Sequence, residues 1–193
     1  MQASDIPNLI SVLRIFLSIP VVWLLLEGEF ASAMVLFAVA GASDALDGFL
    51  AKRFGWESRL GGILDPLADK VLLVSSFLAL GVLDLIPAWL VMLVIFRDLL
   101  IVTGAVIYHY RIESLIAKPS FISKVNTTVQ ILLVLAVVFD RGVWAFPPSL
   151  IVAMVQLTLV TTLLSGAAYV WTWSRRALRH PDRDNGGHRD NRE

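Results

Sequence analysis

The 193-residue chain contains no cysteine. That absence excludes disulfide frameworks, thiolate nucleophiles and cysteine zinc sites together. An excess of either charge is also missing: 16 Lys and Arg stand against 16 Asp and Glu. No basic surplus therefore calls for nucleic acid as a partner. The opening "MQASDIPN" has neither the basic n-region of a signal peptide nor the arginines of a transit peptide. The first apolar run is accordingly expected to be a span that stays. No internal repeat stands out, and one domain is expected over residues 1–173, followed by a polar, disordered tail over 174–193.

What the chain has in abundance is apolar sequence. Hydrophobic residues make up 57% of it, above the usual share of a soluble domain. A helix needs about 20 apolar residues to cross a hydrocarbon core of about 30 Å. Six segments approach that length: Leu9 to Leu26, Ala31 to Leu50, Gly62 to Leu83, Ala88 to Tyr108, Phe121 to Phe139 and Leu150 to Trp171. Turn-like or charged breaks separate them. The expected fold class is all-α, a polytopic membrane protein with six transmembrane helices.

Orientation follows from the placement of Lys and Arg. Lys52, Arg53 and Arg59 lie in the second loop, Arg111 and Lys118 in the fourth, and Arg175, Arg176 and Arg179 after the last span. The alternate loops carry Glu27, Glu29, Asp84 and Asp140, with Arg141 as their basic residue. Both termini and the even-numbered loops are therefore expected to be cytoplasmic, in a cell membrane such as the bacterial inner membrane.

The stretch "SDALDGFLAKRFGWESRLGGILDPLADK" brings Asp44, Asp47, Asp65 and Asp69 to that side. Asp44, Asp47, Gly48 and Ala51 follow the i, i+3, i+4, i+7 pattern of one helix face, and Gly61, Asp65 and Asp69 step by four along another. A lone Asp at a helix end is usually a cap or a solvated charge. Four on two facing stripes repel one another, and each bears a desolvation cost of up to roughly 2.5–3.5 kcal/mol near the bilayer centre. Lys70 alone does not neutralise them. Oxygen-only ligands suit Mg²⁺, Mn²⁺ or Ca²⁺, and a pair of such ions would clamp a displacement at phosphorus. Gly48, Ala51 and Gly61 fit either close helix packing or room for a ligand.

"DALDGFLAK" followed by "GGILDPLAD" resembles the signature of the CDP-alcohol phosphatidyltransferases, D-x2-D-G-x2-A-R, eight residues, then G-x3-D-x3-D. Lys52 departs from it, standing where that family usually has Arg; the charge survives but a bidentate fork does not. The resemblance implies six helices, commonly in homodimers, around a cytoplasmic-side site that transfers phosphatidyl from CDP-diacylglycerol to an alcohol and releases CMP. It implies Mg²⁺ or Mn²⁺ held by Asp44, Asp47, Asp65 and Asp69. Gly48, Ala51, Lys52 and Gly61 would lie against the nucleotide, and Asp69 would also serve as general base.

The acceptor is a separate question. Arg97 and Asp98 lie about ten residues into the fourth span, a depth at which charge is rarely accidental; a mutual ion pair is the structural alternative. "KPSFISKVNTTVQ" puts Lys124 near the cytoplasmic end of the fifth, where it either snorkels or meets a ligand. Arg97 and Lys124 together suggest an acceptor-phosphate site. The pieces "RDLLIV" and "KPSFISKVNT" resemble the CDP-diacylglycerol-using cardiolipin synthases of that family, which implies phosphatidylglycerol as acceptor. The related phosphatidylglycerophosphate synthases, using glycerol 3-phosphate, share "IPN", "DGFLA" and "LDPLADK"; the L-R-E that they typically carry later is absent here. A cation-transport path through the carboxylates and Arg97 is the alternative from another class, although transport sites favour the midplane and these aspartates cluster at one interface.

Overall fold

A computed structural model describes the backbone over residues 5–54, 61–111 and 121–178, and side chains over 9–43, 67–103 and 121–171. Among the described residues six helices follow one another: α1 (Asp5–Leu26), α2 (Phe30–Phe54), α3 (Gly61–Val82), α4 (Ala88–Arg111), α5 (Phe121–Gly142) and α6 (Pro148–Leu178). The all-α expectation holds. Helix α6 continues to Leu178, so its last turns run into the segment expected to be a disordered tail.

Local sequence accounts for the tight reversals. Helix α1 stops where Gly28 takes a left-handed φ of 79°. There the Glu29 N–H donates to the Leu24 carbonyl at 2.9 Å and the Gly28 N–H to Leu25 at 3.1 Å, the paired bonds of a Schellman cap. After α3, Asp84 takes the corresponding position at φ 56°, with the Leu85 N–H on the Leu80 carbonyl at 2.9 Å. Aspartate is among the few non-glycine residues that visit this region routinely. Both reversals fold consecutive helices back as antiparallel neighbours.

Helix α3 is the centre of the bundle, in contact with α1, α4 and α5, while α6 closes the far side against α4 and α5. Its Leu72, Leu73, Phe77 and Leu80 pack with Leu90 and Val94 of α4 and Leu133, Val134 and Val137 of α5. At the opposite end from the aspartate motif, α5 finishes directly on the start of α2. A Cβ added at Gly142 would lie 2.6 Å from the Ala31 nitrogen and 2.8 Å from the Phe30 carbonyl carbon.

The distribution of polarity is inverted relative to a protein in water. On α1, Ser11, Arg14 and Ser18 are buried while Leu13, Phe16, Ile19 and Trp23 point outward. On α4, Arg97 and Asp98 are buried and Trp89, Met92, Phe96 and Leu99 are exposed. Helix α6 repeats the arrangement, with Thr158, Thr162 and Ser165 inside and Leu157, Leu163 and Leu164 outside. Water would reward the reverse order. Hydrocarbon favours this one, because polar side chains find partners only inside the bundle.

By length and composition, three helices among the described residues can cross a membrane: Leu9–Leu26, Phe121–Gly142 and Pro148–Trp171. Six spans were expected. The described part of α2, Phe30–Ser43, is a shorter apolar helix, and the described side chains of α3 and α4, 67–82 and 88–103, likewise cover less than the length of a span.

Candidate active site

Arg14 reaches across from α1 to α3. Its Nη1 donates to Asp69 Oδ1 at 2.5 Å. The arginine side chain is 1% exposed and the aspartate side chain 51% exposed. The pair therefore has a buried cationic root and an open carboxylate tip. A guanidinium in hydrocarbon demands such a partner, and its charge-assisted bond fixes the orientation of the carboxylate. Ser11, Arg14 and Ser18 fall at i, i+3 and i+7, which directs the arginine inward with the serines while the apolar positions of α1 face outward.

Asp69 opens on a cavity of about 440 Å³ formed by α1, α2, α3 and α5. Arg14, Asp69 and Lys70 supply its charge, Phe37 and Gly41 its wall on α2, and Thr127 and Ile131 its wall on α5. A Cβ at Gly41 would meet nothing within 4 Å, so this glycine borders open space. The chamber combines an apolar lining with a charged edge, an arrangement suited to an amphiphilic ligand.

The next residue, Lys70, is committed differently. Its Nζ donates to Asp98 Oδ2 at 2.7 Å, and Arg97 Nη1 donates to Asp98 Oδ1 at 2.7 Å. The Asp98 side chain is only 8% exposed. Arg97 also donates through Nη2 to Ser123 at 2.7 Å and through Nε to Ser165 at 3.1 Å, with a further Nη2 contact to Ser165. One arginine thus ties α4 to α5 and α6, and one aspartate ties it back to α3. The small residues of α6 permit this: Ser165 accepts the bonds, and a Cβ at the adjacent Gly166 would lie 3.9 Å from Arg97 Cγ.

A second polar layer lies deeper between α5 and α6. Thr161 and Thr162 donate to Asn126 Oδ1 at 2.9 and 3.0 Å, an interhelical tie of the kind that membrane bundles use.

The positions expected from sequence divide into two groups. Asp44, Asp47, Gly48, Ala51 and Lys52 lie on the C-terminal part of α2, and Gly61 and Asp65 on the first turns of α3; their side chains fall outside the described residues. Asp69 is at the cavity. Arg97 is buried behind it, with its donors on Asp98, Ser123 and Ser165, and is absent from the lining. Lys124 is exposed on α5, one turn before the cavity-lining Thr127. Among the described residues no three carboxylate or histidine side chains come together. Arg14, Lys70, Asp98, Ser123 and Ser165 were not assigned to the site by sequence. The available signal for Arg14 was its charge in the middle of an apolar run, in register with two serines.

An all-helical bundle with polar residues inside, apolar residues outside and a charged cavity is a membrane protein built around a polar site. The chain belongs to the CDP-alcohol phosphatidyltransferase family, whose model matches residues 4–172. It is 41% identical over 147 residues to a cardiolipin synthase (CMP-forming) of Rattus norvegicus, covering 68% of this chain and 49% of that protein. To the human cardiolipin synthase (CMP-forming) it is 39% identical over 147 residues, with the same coverage of 68% and 49%. A chloroplastic CDP-diacylglycerol–glycerol-3-phosphate 3-phosphatidyltransferase of Oryza sativa is 40% identical over 151 residues, covering 68% of this chain and 45% of the relative. The chain thus aligns with about half the length of each of these proteins.

Proposed function

We propose that the protein transfers phosphatidyl from CDP-diacylglycerol to phosphatidylglycerol, forming cardiolipin and CMP. The observation that carries this is the placement of Asp69 at the edge of an apolar cavity, oriented by buried Arg14. The α2 wall of that cavity, Phe37 and Gly41, leads in one further turn to Asp44. The aspartate motif and the cavity are therefore continuous along the chain, which supports a site where charged headgroup chemistry meets acyl chains.

The acceptor hydroxyl loses its proton to Asp69 as its oxygen attacks the phosphorus that carries the diacylglycerol. The new P–O bond forms, the bond to the CMP oxygen breaks, and CMP leaves with the electron pair. Arg14 keeps the carboxylate aimed at the cavity while its open side receives the proton. Asp44, Asp47, Asp65 and Asp69 form an oxygen-only donor set suited to Mg²⁺ or Mn²⁺. When bound, such an ion supplies charge neutralisation for the diphosphate and the leaving CMP. Gly48, Ala51, Lys52 and Gly61 border the nucleotide in this assignment. Lys124, exposed on α5 one turn before Thr127, contacts the acceptor phosphate in this assignment, and Arg97 supports that subsite from inside the bundle.

All six helices cross the membrane in this reading, with both termini and the site on the cytoplasmic side, and the chain pairs as a homodimer. Inward-facing Arg97 and Asp98 on α4, opposite an apolar outer stripe, support the crossing of a helix that charge alone would argue against. Glycerol 3-phosphate is the second acceptor, favoured by the 40% identity to the rice phosphatidyltransferase. The deciding experiment is CMP release by purified protein with CDP-diacylglycerol and Mn²⁺ or Mg²⁺, phosphatidylglycerol against glycerol 3-phosphate, with lipid products identified by mass. Cardiolipin is expected. Product from glycerol 3-phosphate alone moves the assignment to the second acceptor, and no CMP release with either acceptor overturns the transferase assignment.

A further inference from the structure

We propose that Lys70, held from behind by the buried pair Asp98 and Arg97, is a phosphate-binding cation of the cavity. The proposal rests on the transferase reading above and adds a residue and a positioning device to it. Asp98 accepts one hydrogen bond from each of two cations, through Oδ1 from Arg97 and through Oδ2 from Lys70, both at 2.7 Å. Arg97 and Asp98 already neutralise each other inside the bundle, and Arg14 and Asp69 do the same at the neighbouring edge. Lys70 is the surplus positive charge among these five groups.

Exposure separates the roles within the triad. The Arg97 and Asp98 side chains are 4% and 8% exposed, and neither lines the cavity. Lys70 is 32% exposed and does line it, beside Arg14 and Asp69. A lysine required only as a clip between α3 and α4 has no reason to present a third of its side chain to a chamber. The ammonium is a compact charge on a flexible stem with three donors, and one of those donors is fixed by Asp98. Pinning it there aims the remaining charge at the cavity and removes conformational freedom before a ligand arrives. In an apolar-lined chamber a singly charged phosphate diester, or one arm of a diphosphate, complements that surplus. The two sources are the acceptor phospholipid and CDP-diacylglycerol.

The test uses the full chain in phosphatidylcholine nanodiscs, with Mn²⁺ and each lipid substrate titrated at saturating levels of the other. Lys70→Gln is expected to raise the KM of one phosphate-bearing substrate about tenfold, with kcat changed less than about threefold and the melting temperature retained. The substrate whose KM moves identifies the source of the phosphate. Lys70→Arg is expected to recover most of the loss. Asp98→Asn is expected to shift the same KM in the wild-type background and to add nothing in the Lys70→Gln background, because it acts through Lys70. If Asp98→Asn does not fold, Asp98→Glu takes its place in that cycle.

Stabilisation of the protein by CDP-diacylglycerol and by phosphatidylglycerol, read as a melting shift without turnover, is measured in parallel. Lys70→Gln is expected to reduce one of these shifts selectively. Wild-type protein that releases no CMP refutes the transferase reading, whereas the binding shifts still decide the role of Lys70. Unchanged KM values and melting shifts in Lys70→Gln overturn the proposal. So does a general fall in melting temperature with both substrates affected equally.

Discussion

Arg14 and Asp69 are 55 positions apart in sequence and 2.5 Å apart in space, one side chain buried and the other half open. Removing the arginine charge takes this charge-assisted donor from Asp69 and one polar bond from the α1–α3 interface. Arg14→Gln is expected to lower turnover at least about a hundredfold and to destabilise the protein by about 1–3 kcal/mol, less than for a fully buried pair because the Asp69 left behind is half open. Arg14→Lys is expected to retain more stability than turnover, since a point charge holds the pair but not the carboxylate's direction. Melting curves and CMP release on the same preparations check both.

Metal dependence follows from a donor set made only of carboxylates. Excess EDTA is expected to abolish CMP release, and Mg²⁺ or Mn²⁺ to restore it. Asp47→Asn is expected to cost several orders of magnitude through the loss of one ligand charge. Full activity in EDTA would remove the metal from the mechanism.

Base and ligand roles of Asp69 separate by binding. Asp69→Asn is expected to depress turnover strongly while CDP-diacylglycerol still binds, because the proton acceptor acts on the other substrate. A parallel collapse of binding and rate would make Asp69 chiefly a metal ligand.

Lys124 and Arg97 predict contrasting phenotypes. Lys124→Gln is expected to raise the KM for phosphatidylglycerol about tenfold, equivalent to about 1.4 kcal/mol of charge-assisted bonding, with no change in melting temperature. Arg97→Lys, which cannot reproduce the fork to Asp98, Ser123 and Ser165, is expected to lower the melting temperature as well as activity. A stable, fully active Arg97→Lys protein would detach that network from function.

Two glycines offer a control on packing. Gly142→Ala forces a methyl group against the backbone of Phe30 and Ala31, with an expected cost of about 1–3 kcal/mol for the overpacked contact. Gly41→Ala meets open space and is expected to leave stability unchanged or raised by up to about 1 kcal/mol through helix propensity. Thermal unfolding of the two variants side by side checks the difference.

The local features were legible in the chain itself. Six apolar segments became six helices, because 3.6-residue periodicity and breaks at Gly28 and Asp84 are properties of neighbouring residues. The aspartate motif pointed to one end of α2 and α3, and its last member, Asp69, borders the cavity there. The family followed from the same residues. What sequence alone left open was the partner of each buried charge.

The adjacency of Arg97 and Asp98 is visible in the sequence, whereas the reach of that pair to Lys70, Ser123 and Ser165 is not. Arg14 received no role at all. Helical periodicity states which face of a helix a residue occupies, but not which other helix that face meets. Lys70 and Asp98 are 28 residues apart, and Arg97 and Ser165 are 68 apart. Only the packing of α1, α4 and α5 around α3, and of α6 against α4 and α5, brings these groups within hydrogen-bond distance. In a surrounding that solvates no charge, a buried ionised side chain needs its partner inside the bundle, and the tertiary arrangement alone decides which partner that is.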